Sequence, residues 1–168
     1  MPAGATYEPI ATTTLGSNQT SVTFSSLGSY TDIVGIVTIT TTSAGSLFLR
    51  FNSDTGTNYS HTRLGGDGST ATSGRATSAD RMQIGYHSTG TNTSNPGLSK
   101  VHIFSYGGST NKTVLCETAG DNNGSGDVSR YVGLWRSTAA VTSVTFDVGG
   151  TINFKTGSTF TIYGIKAA

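Results

Sequence analysis

The sequence predicts an all-β fold, an antiparallel two-sheet β-sandwich of jelly-roll type, on three observations. Ser and Thr fill about three in ten of the 168 positions, and Gly adds 23 more. These small polar residues alternate with Val, Ile, Phe and Tyr at the period of two that puts alternate side chains on opposite faces of a strand. No window longer than about ten residues carries the 3.6-residue period of an amphipathic helix.

In chain order, strands are expected over residues 7–15, 21–27, 32–42, 47–52, 58–64, 81–86, 100–106, 113–118, 130–136, 141–148 and 160–165. In the second, Val22 and Phe24 point one way and the hydroxyls the other. In the fourth, Leu47, Leu49 and Phe51 alternate with Phe48, Arg50 and Asn52, giving one strongly apolar face. Thr serves the outer faces because its β-branched side chain suits a pleated surface without adding charge. The breaks are clusters such as Gly65-Gly66-Asp67-Gly68, Asn95-Pro96-Gly97 and the run from Gly120 to Asp127, whose residues tolerate φ > 0 or pre-set a turn. Residues 69–80 are too rich in Ser, Thr and Gly for a helix and are expected as a helical turn or mobile loop. An up-and-down barrel is the alternative closure; no repeat period suggests a solenoid.

A chain of this length fits one compact domain, here residues 7–168, with residues 1–6 as an N-terminal arm that orders against a neighbour or frays. A net charge of +1 and a pI near 7.9 leave no basic stripe for nucleic acid. The longest apolar stretch, from Ile33 to Ile39, is broken by Gly35 and Thr38 and falls far short of a membrane span. The start of the chain has no basic segment or apolar run of a secretory signal, so synthesis and assembly in a cytoplasm are expected. The lone Cys116 excludes an intrachain disulfide and, inside an apolar strand, reads as a small buried hydrophobe.

Chemistry-bearing residues are few. In residues 121–127, Asp121, Asn123, Ser125 and Asp127 alternate like oxygen ligands of a hard cation, but Val132 stands where an EF-hand needs its bidentate carboxylate. The expected role is a polar turn, with no metal and no cofactor. His61, His87 and His102 form no ligand pair, and no Gly-x-Ser-x-Gly elbow supports a triad. The nine carboxylates, Glu8, Asp32, Asp54, Asp67, Asp80, Glu117, Asp121, Asp127 and Asp147, sit largely in turn clusters, so no catalytic residue is assigned and no enzyme is expected. Tyr131, Gly133 and Trp135 share one strand face, which makes Trp135 either a core residue or a platform for a sugar ring. Five Asn-x-Ser/Thr sequons, at Asn18, Asn58, Asn92, Asn111 and Asn123, follow from the composition.

The segments Tyr7-Glu8-Pro9-Ile10-Ala11-Thr12, Leu49-Arg50-Phe51-Asn52-Ser53-Asp54-Thr55-Gly56-Thr57-Asn58-Tyr59-Ser60, Tyr131-Val132-Gly133-Leu134-Trp135-Arg136-Ser137-Thr138-Ala139-Ala140 and Tyr163-Gly164-Ile165 resemble small virion structural proteins of tailed bacteriophages, especially those infecting cyanobacteria. The resemblance runs from Tyr7 onward and is weakest over residues 65–99. It implies a jelly-roll capsid decoration (cement) protein on the outer head surface. Such a protein would be a homotrimer whose partner is the major capsid protein. The alternative it implies is a tail-fibre or adhesin module binding host glycans through exposed aromatics near Tyr86, Tyr106 or Trp135. A glycan hydrolase stands last. The family brings no catalytic residues.

Overall fold

The computed structural model describes residues 6–87, 95–121, 123–124 and 126–166. Its strands are β1 (Tyr7–Thr14), β2 (Ser21–Ser25), β3 (Asp32–Ile39), β4 (Gly45–Phe51), β5 (Tyr59–Gly66), β6 (Ala71–Ala79), β7 (Met82–His87), β8 (Gly97–Ile103), β9 (Lys112–Gly120), β10 (Asp127–Trp135), β11 (Ser143–Val148) and β12 (Thr159–Ile165). They form an eight-stranded sheet in the order β1-β12-β3-β8-β9-β10-β5-β6 and a four-stranded sheet in the order β2-β11-β4-β7, and every pairing is antiparallel. Among the described residues there is no helix. The all-β, two-sheet sandwich expected from the sequence is the fold the chain adopts.

Period-two burial is the reason these sheets stack. In β9 the odd-numbered residues are exposed while Lys112, Val114, Cys116 and Thr118 are buried; in β10 Ser129, Tyr131, Gly133 and Trp135 are buried. The opposing inner face supplies Val22, Phe24, Leu47, Leu49, Phe51, Met82, Ile84, Val144 and Phe146, all in the core cluster. Edge-to-face and tilted aromatic pairs run through it: Phe24 with Phe146 at 6.3 Å, Phe146 with Phe160 at 5.8 Å, and Phe160 with Phe154 at 4.9 Å between ring centroids. Such pairs add about 0.5–1.5 kcal/mol each beyond the area they bury.

On the outer faces, threonines bond across strands. Thr12 pairs with Thr161 (3.1 Å) and Thr14 with Thr159 (3.3 Å) between β1 and β12, and Thr23 with Thr145 (2.9 Å) between β2 and β11. An ionic cluster on the narrower sheet's outer face is built on the mostly buried Asp147, which accepts from Arg81 at 2.7 Å and faces Arg50 at 3.6 Å. Burial raises the Asp147 carboxyl against the opposing pull of the two guanidinium groups. Arg81 also lies over the Phe48 ring, 4.1 Å from its centroid.

One segment departs from the sequence reading. Residues expected as a helical turn or loop form β6, which pairs with β5 from Gly66 opposite Ala71 to Tyr59 opposite Ala79. The intervening turn is fixed by Asp67, whose Oδ1 accepts from the Ser69 and Thr70 N–H groups at 2.9 and 2.7 Å, and by Gly68 at φ +90°. Those donors hold the Asp67 carboxyl down to about 2. β6 lacks apolar alternation because nearly all of it is exposed, so neither face selects for hydrophobic residues. The strand expected over residues 100–106 begins earlier, at Gly97, while β9 and β10 extend to Gly120 and Asp127, which pair with each other. Of the expected arm, residues 1–5 lie outside the described residues; the Thr6 carbonyl accepts from the Lys166 N–H at 3.4 Å.

The end of the sandwich near β12 is closed by Tyr30. Its N–H donates to Tyr106 Oη at 3.2 Å, its hydroxyl donates to Glu8 at 3.3 Å, and its ring lies where a Cβ on Gly164 would sit, 2.2 Å from the nearest ring carbon. Gly164→Ala is therefore expected to push the ring off its seat and destabilise the chain by about 1–3 kcal/mol. Urea unfolding checks this, with the midpoint falling and the slope unchanged.

Candidate functional site

The long sheet is twice as wide as the sheet that covers it, and its far side faces outward. There β8, β9, β10 and β5 align their outward residues in cross-strand rows. Leu98, Ala119 and Val128 form one row, Lys100, Glu117, Arg130 and Leu64 the next, and His102, Leu115, Val132 and Thr62 a third. Leu64, Val128, Leu98, Val132 and Leu115 are 65, 62, 47, 47 and 37% exposed. Leu64, Leu98, Ala119 and Val128 lie together, and Leu115 and Val132 lie on the other side of the charged row. The patch holds a shallow hollow of about 620 Å³ between Leu64, Leu98, Ala119 and Val128.

Charge crosses the patch in the order plus, minus, plus. Glu117 and Arg130 form an ion pair directly across strands, with Lys100 opposite Glu117 on the other side. Both partners of the pair are exposed, so the pair adds little to stability and leaves polar groups available within the patch.

The sequence-derived candidates scatter. Trp135 is 2% exposed, stacked 6.3 Å from Tyr59 and tilted 5.4 Å from Phe51, and its Nε1–H donates to Asp54 Oδ2 at 2.7 Å. It is a core residue and offers no platform. Tyr106 is also buried, donating to the Gly28 carbonyl at 2.7 Å. Of the three aromatics suggested for sugar contact, Tyr86 alone is exposed, at 37%. Burial raises the Asp54 carboxyl, but hydrogen bonds from Asn58, Trp135 and the Gly56 N–H outweigh it and hold the group below the usual carboxylate range.

Cys116 is fully buried, and desolvation pushes its thiol up to about 12, which leaves it unreactive. In residues 121–127, Asp121 Oδ1 accepts from the Gly124 N–H at 2.9 Å, and Asn123 and Gly124 take positive φ. Ser125 lies outside the described residues, as does the Asn92 sequon. Among the described residues no three His, Cys, Asp or Glu side chains gather as metal ligands. His102 Nε2 lies 3.0 Å from Asp32 Oδ2, and its ring stacks 3.9 Å from that of Phe104. His87 ends β7.

The sequence reading passed over Arg63 and Lys112. Lys112 is fully buried, its Nζ donating to the Thr110 carbonyl at 2.5 Å, and desolvation lowers its pKa. Arg63 lies on the inner face of β5, beyond the cover of the narrower sheet. A scan against protein-family models finds no match to this chain, and a search of curated proteins finds none. No helix among the described residues is long and apolar enough to cross a membrane.

His61 faces the inner layer, where its Nδ1 accepts from the Gln83 N–H at 3.3 Å. Desolvation lowers its pKa from 6.5, so the folded state holds the ring neutral. Its contribution to stability is whole above pH 6.5 and is lost as the pH falls through the lower folded value. His61→Gln is expected to flatten the loss of stability between pH 7 and pH 5, read as urea midpoints across that range.

Proposed function

We propose that this chain is a structural protein of a tailed-phage virion that decorates the outer surface of the head, seated through the outer face of its wider sheet. The single observation that carries the reading is the exposed apolar patch of Leu64, Leu98, Leu115, Val128 and Val132, crossed by the Lys100, Glu117 and Arg130 row. Apolar side chains on both sides of a row of exposed, mutually paired charges offer both the apolar area and the polar partners that a protein–protein contact uses. The major capsid protein is the proposed partner, and a homotrimer the proposed form. A trimer presents three such faces at once, and linked contacts act at high effective concentration, so individually modest seats hold firmly.

The strand order supports the jelly-roll type within this proposal. Setting aside β5, β6, β9 and β10 leaves β1-β12-β3-β8 opposite β2-β11-β4-β7. Those eight strands, crossing repeatedly between two antiparallel sheets, match the double Greek key of a jelly roll. The four remaining strands are two hairpins that join edge to edge through β5 and β10 and widen one sheet. Most of the exposed patch is carried by this extension, with Leu98 contributed by β8.

Gold-labelled antibody against the chain is expected to spread over the heads of virions of the phage that encodes it; label confined to the tail tip would sink the reading. Leu64→Asp with Val128→Asp is expected to cut the copies retained per head at least about tenfold, because burying two unpaired carboxylates opposes docking. Their melting temperature should shift by less than about 3 °C, since both side chains are exposed.

A further inference from the structure

On the opposite side of the same extension, the inner face of β5 and β6 runs past β7 without cover, and a second hollow of about 490 Å³ opens there. Arg63, Thr72, Tyr86, Asp127 and Ser129 wall it. The Arg63 guanidinium is anchored on one side, where Nη2 donates to Thr72 Oγ1 at 2.7 Å. Its Nε is buried without a hydrogen-bond partner, and among the described residues Arg63 forms no ion pair.

Asp127 is the counterpart. Within the described residues its carboxylate accepts only from Ser129 Oγ, at 3.3 Å. The other carboxylates are committed: Glu8 to Lys166, Asp32 to His102, Asp80 and Asp147 to arginines, Glu117 to Arg130, and Asp54, Asp67 and Asp121 to their own turns. Burial raises the Asp127 carboxyl, with the Ser129 hydroxyl and the Arg63 charge acting against it. One cleft thus holds the Arg63 cation and an Asp127 carboxylate that do not pair with each other, the turn-bound carboxylate of Asp67, hydroxyls on two strands, and one exposed aromatic ring.

We propose that this cleft binds a neutral saccharide, with Asp127 and Arg63 taking neighbouring hydroxyls of one sugar ring and Tyr86 lying against its apolar face. A sugar hydroxyl both donates and accepts, so adjacent hydroxyls serve a carboxylate and a guanidinium together. The C–H face of a pyranose packs on an aromatic ring. Ligands that are purely anionic, purely cationic or purely apolar fit poorly. An anion meets the Asp127 charge, a cation meets Arg63, and an apolar molecule leaves both charges desolvated and unpaired. The site lies across the sheet from the proposed head-binding face, so it stays open when that face is docked, and its test does not depend on docking.

The test is amide chemical-shift perturbation of the ¹⁵N-labelled full chain by methyl α-D-mannopyranoside, methyl β-D-galactopyranoside and methyl α-L-rhamnopyranoside, with inorganic phosphate as the anionic probe. At least one glycoside is expected to shift amides around Arg63, Thr72, Tyr86 and Ser129, with a Kd of roughly 1 mM. Arg63→Met and Tyr86→Ala should each weaken it by about tenfold or more, and Tyr86→Phe should bind as the parent does. Because the Tyr86 ring is exposed, that pair of variants keeps the test decisive even if Arg63→Met does not fold. The proposal is overturned if no glycoside shifts these amides up to about 100 mM, if Tyr86→Ala binds undiminished, or if phosphate occupies the cleft more tightly than any of the sugars.

Discussion

Four strands cover the inner face of eight, and the rest of the structure depends on that mismatch. Under the narrower sheet the inner face is dry, and its apolar residues include Val101, Val114, Cys116, Tyr131, Phe160 and Ile162, none more than 1% exposed. Past β7, the last covering strand, water reaches the same face, and on β5 the pattern changes from the fully buried Tyr59 through half-buried His61 to Arg63. A charged side chain carries a large desolvation cost unless it is paired or hydrogen-bonded, so charge on this face stands at its limits: Arg63 past the cover, and Lys112 at the start of β9, whose ammonium donates to the Thr110 carbonyl.

The extension is tied firmly to the rest of the sandwich. Trp135, the last residue of β10, lies between Phe51 at the end of β4 and Tyr59 at the start of β5, and its indole N–H reaches back to Asp54 in the connection between those strands. The Tyr59 hydroxyl accepts from the Phe51 N–H at 3.0 Å, and desolvation pushes its pKa to about 12. One buried aromatic stack therefore fixes where both added hairpins leave the core. The outer patch and the inner cleft inherit that position because they are the two faces of the same strands, residue by residue: Leu64 outward and Arg63 inward, Val128 outward and Ser129 inward.

How much of this was legible in the sequence follows from which signals are local. Period-two alternation marks a strand wherever one face is dry, so strands such as β2, β4 and β10 are readable from Val22 and Phe24, from Leu47, Leu49 and Phe51, and from Tyr131 and Trp135. β6 is not, because a strand wet on both faces has no hydrophobic period to display. Sheet order is a long-range property: Val128 and Ala119 are near in the chain, but Leu98 and Leu64 join their patch through pairings that no window reveals. Arg63 was passed over for the same reason. In a Tyr-Ser-His-Thr-Arg string it looks like any solvated strand residue, and its place beside Asp127 arises when β5 pairs with β10.

The threonine pairs of the outer surface bear on the medium in which the protein works. Where a surface is laced by ion pairs, dissolved salt screens the attractions within about a Debye length, and stability follows ionic strength. Thr12 with Thr161, Thr14 with Thr159 and Thr23 with Thr145 make their cross-strand contacts with uncharged hydroxyls, which dissolved ions do not screen. At these edges of the sandwich the cross-strand bonding should be the same in dilute water and in brine.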